Sequence, residues 1–160
     1  PDDRAILSQS ILFPGGAIAS DGGTWLVDGE ELPGDTWPLP ADADSHPRSA
    51  GTFSRFLRTY VREAGTIGLS EALAKTSLIP AQILEDAVPQ MRTKGRLQEG
   101  ADADIVVFDL AAVSDRATYE QPAQPSTGFQ YVIVAGTPLV WAGEIDTTVL
   151  PGRPIRRTPN

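Results

Sequence analysis

The spacing of apolar positions changes part-way along the chain. Between residues 52 and 65, Phe53, Phe56, Leu57, Tyr60 and Val61 recur at helical intervals, the i, i+3, i+4, i+7 pattern that lays one stripe against a core. Thr52 stands where an N-cap is wanted, and Gly65 where a helix stops. Arg55, Arg58 and Arg62 fall on the other side, which is expected to be a solvated face. "RAILSQSIL" (4–12) predicts a short helix, with Ile6, Leu7 and Ile11 sharing a face. Ser70 is expected to cap a second helix over "EALAKTS", and a third is expected to begin near Pro80 and run through "AQILEDA". Beyond about residue 95 the rhythm shortens. "DIVVFD" (104–109) is a compact β-branched run, and "FQYVIVAGTPLVWAGE" (129–144) reads as two strands joined at Ala135–Gly136. "GAIAS" (16–20) predicts one more short strand, which enters Asp21.

Residues 22–51 fit neither pattern. They are rich in Gly, Pro and Asp, yet they also carry Trp25, Leu26, Val27 and Trp37. Irregular stretches this long are usually functional or disordered, and disordered linkers are poor in aromatics. An ordered active-site loop is therefore expected. Helices before residue 95 and strands after it predict an α+β chain of two units.

Composition narrows the function classes. Among 160 residues, 13 Lys and Arg face 21 Asp and Glu, a net charge of −8. Such a chain repels phosphate backbones and anionic membranes, and no basic cluster offsets this; neither nucleic acid nor a membrane is expected as a partner. The absence of cysteine excludes disulfides and thiolate metal sites within the chain and fits a cytoplasmic setting. No apolar run approaches the roughly 20 residues that span a bilayer. "PDDRAILSQS" has neither an initiator methionine nor a basic n-region and reads as a cut end, whereas "RRTPN" reads as a natural one.

"GRLQEGADADIVVFDLAAV" (95–113) resembles the closing signature of the amidohydrolase superfamily, through Gly95, Leu97, Gly100, Ala103, Asp104 and Asp109. "YVIVAGTPLVWAGE" resembles its next element, a strand, a Gly turn and a return strand. Within the superfamily, the blocks "ASDGG", "HPRSAGTFSRFLRTYVRE", "LSEALAKTSLIPAQIL" and "ADIVVFDLAAVSDRATYEQP" are similar to the D-aminoacylases, the N-acyl-D-amino acid and N-acyl-D-glutamate deacylases. The resemblance runs over essentially the whole chain and implies the C-terminal portion of a longer enzyme. The parent fold it implies is an α/β TIM barrel with a small β-sandwich built from both chain ends. Residues 1–94 would then be the closing end of the (β/α)8 barrel, with "AIAS" as its last strand and 22–51 as an active-site loop. Residues 95–160 would be the C-terminal part of the sandwich.

The resemblance also implies chemistry. Asp21 would sit at the catalytic end of the last barrel strand, where active sites of such barrels lie. There it would take a proton from water and return it to the leaving amine, close to or touching a Zn²⁺ ion. The alternative is an Asp that only starts a turn. The remaining zinc ligands, histidines and a cysteine, would come from strands outside this chain, which has one histidine. The chain alone is therefore expected to hold no zinc tightly and to be inactive. Arg48 has the planar fork that grips a carboxylate, which every N-acyl amino acid substrate carries; the alternative is a salt bridge to a nearby acid. His46 would line the pocket or orient its neighbours, against the plainer reading of a surface histidine. Asp104 and Asp109 read as turn and hydrogen-bonding residues, and Tyr60 as core. Rival readings are a sister amidohydrolase acting on cyclic amides, of dihydropyrimidinase or dihydroorotase type, and a non-catalytic β-rich binding or oligomerisation module. A lone barrel strand leaves edges unpaired, so the isolated chain is expected to self-associate.

Overall fold

The structure, a computed structural model, describes residues 3–157. It opens with α1 (Asp3–Ile11), as the spacing predicts. Residues 16–20 are not the expected strand: they lie in no ladder, and Ile18 donates its N–H to the Lys75 carbonyl at 2.9 Å instead. A strand needs a neighbour to complete its hydrogen bonds, and no strand of the described residues runs beside this one. The loop that follows is internally bonded. β1 (Leu26–Val27) and β2 (Glu30–Glu31) form a small antiparallel hairpin, and Leu26 exchanges main-chain bonds of 2.8 and 2.9 Å with Asp44.

α2 (Arg48–Phe56) begins four residues before the predicted cap at Thr52, so the irregular loop ends at residue 47 rather than 51. Pro47 precedes the helix with φ −52°, a value its ring already imposes. Thr52 sits inside the helix and donates Oγ1–H back to the Arg48 carbonyl at 2.9 Å. The helix runs on through wider π turns (Leu57–Glu63), and Gly65, at φ 59°, ends it as predicted.

The second and third predicted helices are one rod. α3 (Leu69–Leu73), a π segment (Ala74–Leu78) and α4 (Ile79–Leu84) follow without a break. Gly68, not Ser70, is the N-cap. Pro80 lacks an N–H, and its ring crowds the carbonyl four residues back in a regular helix. The π turn before it, with Ile79 N–H reaching the Ala74 carbonyl, makes room.

After a 3-10 turn (Pro89–Thr93), four strands make an antiparallel meander: β3 (Ile105–Phe108), β4 (Phe129–Val134), β5 (Thr137–Trp141) and β6 (Glu144–Ile145), in that spatial order. Val106 faces Val132 and Val132 faces Val140 across the sheet. β4 and β5 turn at Ala135–Gly136, where φ is 49° and 79°, the left-handed pair that a two-residue hairpin requires. β6 was not anticipated; Ala142–Gly143 repeats the same turn, with φ 51° and 87°.

Helices and sheet share a core. Phe56, Leu57, Ile67, Ala72 and Val113 are buried together, with Ile11, Ile18, Tyr60, Phe108 and Phe129 packed around them. Gly95 sets the approach of the sheet half to the rod. Its φ is +69°, and a Cβ there would lie 2.7 Å from the Ser77 carbonyl oxygen. Arg58 and Arg62 are not a solvated face. Arg58 Nε donates to Asp115 at 2.8 Å and Nη1 to Glu63 at 3.0 Å, while Arg62 Nη1 lies 2.5–3.0 Å from the carbonyls of Leu110, Ala111 and Val113. Helical spacing says which side chains leave the apolar stripe, but not that the 109–115 turn folds back over them. The bond to Asp115, with Glu63 behind it, holds Arg58 above the ordinary guanidinium range.

Candidate active site

Asp21 follows the extended 16–20 segment and takes φ +48°. This left-handed geometry costs a side-chain-bearing residue roughly 1–2 kcal/mol, and Asp tolerates it better than most. The conformation projects the carboxylate outward, 88% exposed. Arg48, the first residue of α2, holds this turn twice. Its Nε donates to the Asp21 main-chain oxygen at 2.6 Å, and its Nη2 lies 3.3 Å from Asp21 Oδ2. An ion pair this exposed adds little to stability. It orients the carboxylate against a fixed cation.

The glycines after Asp21 allow α2 to come close. A Cβ on Gly22 would stand 3.2 Å from both Cα and Oγ of Ser49. Ser49 Oγ accepts the Gly23 N–H at 3.2 Å and lies 3.0 Å from Ser45 Oγ, while Gly22 N–H donates to Ser20 Oγ at 3.2 Å. Upstream, Lys75 anchors the same segment from beneath. Its side chain is fully buried, and Nζ donates to the carbonyls of Phe13 and Gly16.

His46 is exposed, and both its ring nitrogens are engaged. Nδ1 accepts the Arg48 main-chain N–H at 3.1 Å, and Nε2 is 3.1 Å from the Tyr119 hydroxyl. The two rings meet edge to face, with centroids 5.2 Å apart. His46 thus satisfies the first N–H of α2. The structure therefore brings Asp21, Arg48 and His46 together. It adds Ser49 and Tyr119, which the spacing of residues did not single out; Tyr119 lies within the "SDRATYEQP" block that carries the family resemblance.

Asp104 and Asp109 are turn residues, as expected. Asp104 Oδ1 accepts the Ala135 N–H at 2.7 Å, and Oδ2 meets Lys94 Nζ at 2.5 Å. The Lys94 ammonium, followed by the Ala135 N–H, pulls the Asp104 carboxyl below the usual carboxylate range. Asp109 Oδ1 accepts the Ala111 N–H at 2.9 Å. Trp25 and Trp37 are half-buried in the loop.

A zinc centre needs about three protein ligands. Among the described residues no three His, Cys, Asp or Glu side chains gather closely enough to hold a metal ion. With both nitrogens of His46 occupied, Asp21 is the one group of this cluster placed to reach a cation. The described residues by themselves do not make up a zinc site.

Comparison with known proteins places this chain in a family. A model of the amidohydrolase family matches residues 26–140, starting just after Asp21. An N-acyl-D-glutamate deacylase of Alcaligenes xylosoxydans xylosoxydans is 41% identical over 119 residues, 74% of this chain and 23% of the relative. An N-acyl-D-aspartate deacylase of the same organism is 41% identical over 152 residues, 94% of this chain and 26% of the relative. A crystal structure of D-aminoacylase superposes with a TM-score of 0.73 at 32% identity, over 97% of this chain and 28% of that one. The N-acyl-D-glutamate deacylase from Bordetella bronchiseptica, complexed with zinc and a phosphonate that mimics the reaction's tetrahedral intermediate, gives a TM-score of 0.62 at 36% identity, over 88% and 25% of the two chains. The chain thus spans about a quarter of the length of the curated relatives it matches. Because that family model covers well over half of its residues, this chain belongs to the amidohydrolase family.

Proposed function

We propose that the chain is the C-terminal part of a zinc-dependent deacylase that hydrolyses N-acyl-D-amino acids, N-acyl-D-glutamate among them, to a carboxylate and a free D-amino acid. Residues 1–94 would close the (β/α)8 barrel and carry the active-site loop, and 95–160 would complete a composite β-sandwich. The observation that carries the reading is the exposed Asp21 carboxylate, set in a left-handed turn and clamped by Arg48. The names of the relatives support the substrate class.

Amide hydrolysis needs a base for water and an acid for the departing nitrogen. One carboxylate serves both in turn, because the proton it takes from water is the one the amine requires. Asp21 fits that role. It is open to solvent on its reacting side and fixed from behind by Arg48, so it can meet a substrate without rearranging its own turn. Arg48 spends Nε and one side of Nη2 on Asp21. Nη1 remains for the substrate carboxylate, so the same side chain would position base and substrate together. Zinc, held in the longer enzyme by residues outside this chain, would supply an acidified water and a Lewis acid. The isolated chain is proposed to be inactive and to self-associate through its strand edges; a monomeric mass in solution would contradict the second point.

The test is turnover of N-acetyl-D-glutamate and its L isomer by the full-length enzyme with zinc present. Hydrolysis of the D isomer with the L isomer left intact is the expected result. An enzyme that leaves both intact, or that opens cyclic amides instead, contradicts the reading.

A further inference from the structure

Tyr119 lies 73 residues from His46 in sequence, yet its hydroxyl is 3.1 Å from His46 Nε2. The imidazole is thus held at both ring nitrogens. Nδ1 faces the Arg48 main-chain N–H at 3.1 Å, so it must be the unprotonated nitrogen. Neutral His46 then carries its proton on Nε2, where it donates to the Tyr119 oxygen. The edge-to-face contact, at 72° between ring planes, fixes the imidazole plane as well. His46 in turn anchors the main chain of Arg48, whose side chain holds both the carbonyl and the carboxylate of Asp21. The links run in one direction, from Tyr119 through His46 and Arg48 to Asp21. Each is a contact between residues on different elements or at the very start of α2.

We infer that Tyr119 is a positioning residue for substrate recognition: by holding the far side of the His46 ring, it keeps Nδ1 on the Arg48 N–H and so sets the Arg48 guanidinium where it can grip the substrate carboxylate. Without the hydroxyl, one of the two hydrogen bonds that hold the ring is lost, and the imidazole is free to turn away from the Arg48 N–H. The first turn of α2 then loses its acceptor, and the guanidinium is no longer aimed. The inference rests on the deacylase reading for its kinetic consequence, though not for its geometry.

The test uses the full-length enzyme and Tyr119→Phe, which keeps the ring contact and removes the hydroxyl. Loss of one exposed hydrogen bond is expected to raise KM for N-acetyl-D-glutamate about fivefold with kcat changed far less. Against the α-carboxamide of the same substrate, the variant's KM is expected to stay near wild type, so that the preference for the acid narrows. In a His46→Asn background, where a side-chain oxygen accepts the Arg48 N–H without needing Tyr119, Tyr119→Phe is expected to have no further effect. An equal loss on acid and amide, or an equal loss in both backgrounds, overturns the inference. Crystal structures of wild type and Tyr119→Phe decide the geometry without turnover: Arg48 leaving the Asp21 carbonyl supports it, and an unmoved Arg48 overturns it. A wild-type enzyme inactive on both substrates would refute the deacylase reading alone, leaving those structures to judge Tyr119.

Discussion

The four-stranded meander and the Asp21 turn are held by different kinds of bond. In the meander, main-chain ladders pair β3 with β4, β4 with β5 and β5 with β6, and side chains only tune the turns between them. Around Asp21 there is no ladder. Side chains reach main-chain atoms instead: Lys75 the Phe13 and Gly16 carbonyls, Ser49 the Gly23 N–H, Arg48 the Asp21 carbonyl, His46 the Arg48 N–H. A ladder stabilises a backbone and leaves its outward side chains free to vary. A segment tied by side chains has a position that depends on each one, which suits the catalytic role proposed for the Asp21 carboxylate. The scaffold should therefore fail by losing stability, and the site by losing function.

The largest stability effect is expected at the joint between sheet half and rod. Gly95→Ala would place a Cβ 2.7 Å from the Ser77 carbonyl oxygen at φ +69°. The backbone penalty and the clash together should lower stability by about 3 kcal/mol, read as a shift in the urea midpoint of the full-length enzyme. A loss too small to measure would mean that the rod yields easily at its π segment.

Next comes Lys75→Met, which keeps most of the volume and leaves the Phe13 and Gly16 carbonyls without their donor. About 2 kcal/mol should be lost. Because Lys75 supports the Asp21 segment, turnover should fall further than the stability loss explains. Activity retained at full level in a destabilised variant would separate this anchor from the site.

Asp104→Ala should cost least, about 1 kcal/mol at neutral pH, as a partly exposed carboxylate loses one main-chain and one ammonium partner. Its pH dependence has a definite sign. The Asp104 carboxyl is depressed, first by Lys94, so its contribution is full above the ordinary carboxylate range and fades as pH falls through the lower folded value. Lys94 is raised, chiefly by Asp104 and then by Asp102, so its share is full below the ordinary ammonium range and fades as pH climbs through the raised value. The gap between wild type and variant in thermal melts should accordingly be widest between about pH 5 and 9 and close towards both extremes. A gap that is flat with pH would assign the effect to packing.

The same contrast explains what the sequence allows one to read. β3, β4 and β5 follow from "DIVVFD" and "YVIVAGTPLVW", because β-branched runs and a left-handed turn pair are local signals. Gly65 marks a helix end for the same reason. The start of α2 does not follow, since Thr52 has the chemistry of a cap but spends its hydroxyl on Arg48, and Pro47 begins the helix. The break expected at Pro80 is absorbed by a π turn that no residue pattern announces. The family resemblance draws attention to Asp21, His46 and Arg48. The contact of Arg48 with Asp21 and that of Tyr119 with His46 join residues 27 and 73 positions apart, and spacing along the chain carries no information about such pairs.

The central claim is that Asp21 serves chemistry and not the fold, and the most direct measurement takes both readings on one variant. Asp21→Asn in the full-length enzyme keeps the size of the side chain and removes its ability to carry a proton. The account predicts that kcat for N-acetyl-D-glutamate falls about a thousandfold or more, while the thermal midpoint stays within about 1 °C of wild type, because the pair it makes with Arg48 is exposed. Turnover that survives the substitution would return Asp21 to being a turn residue, and a fall in activity matched by a fall in melting temperature would make its role structural.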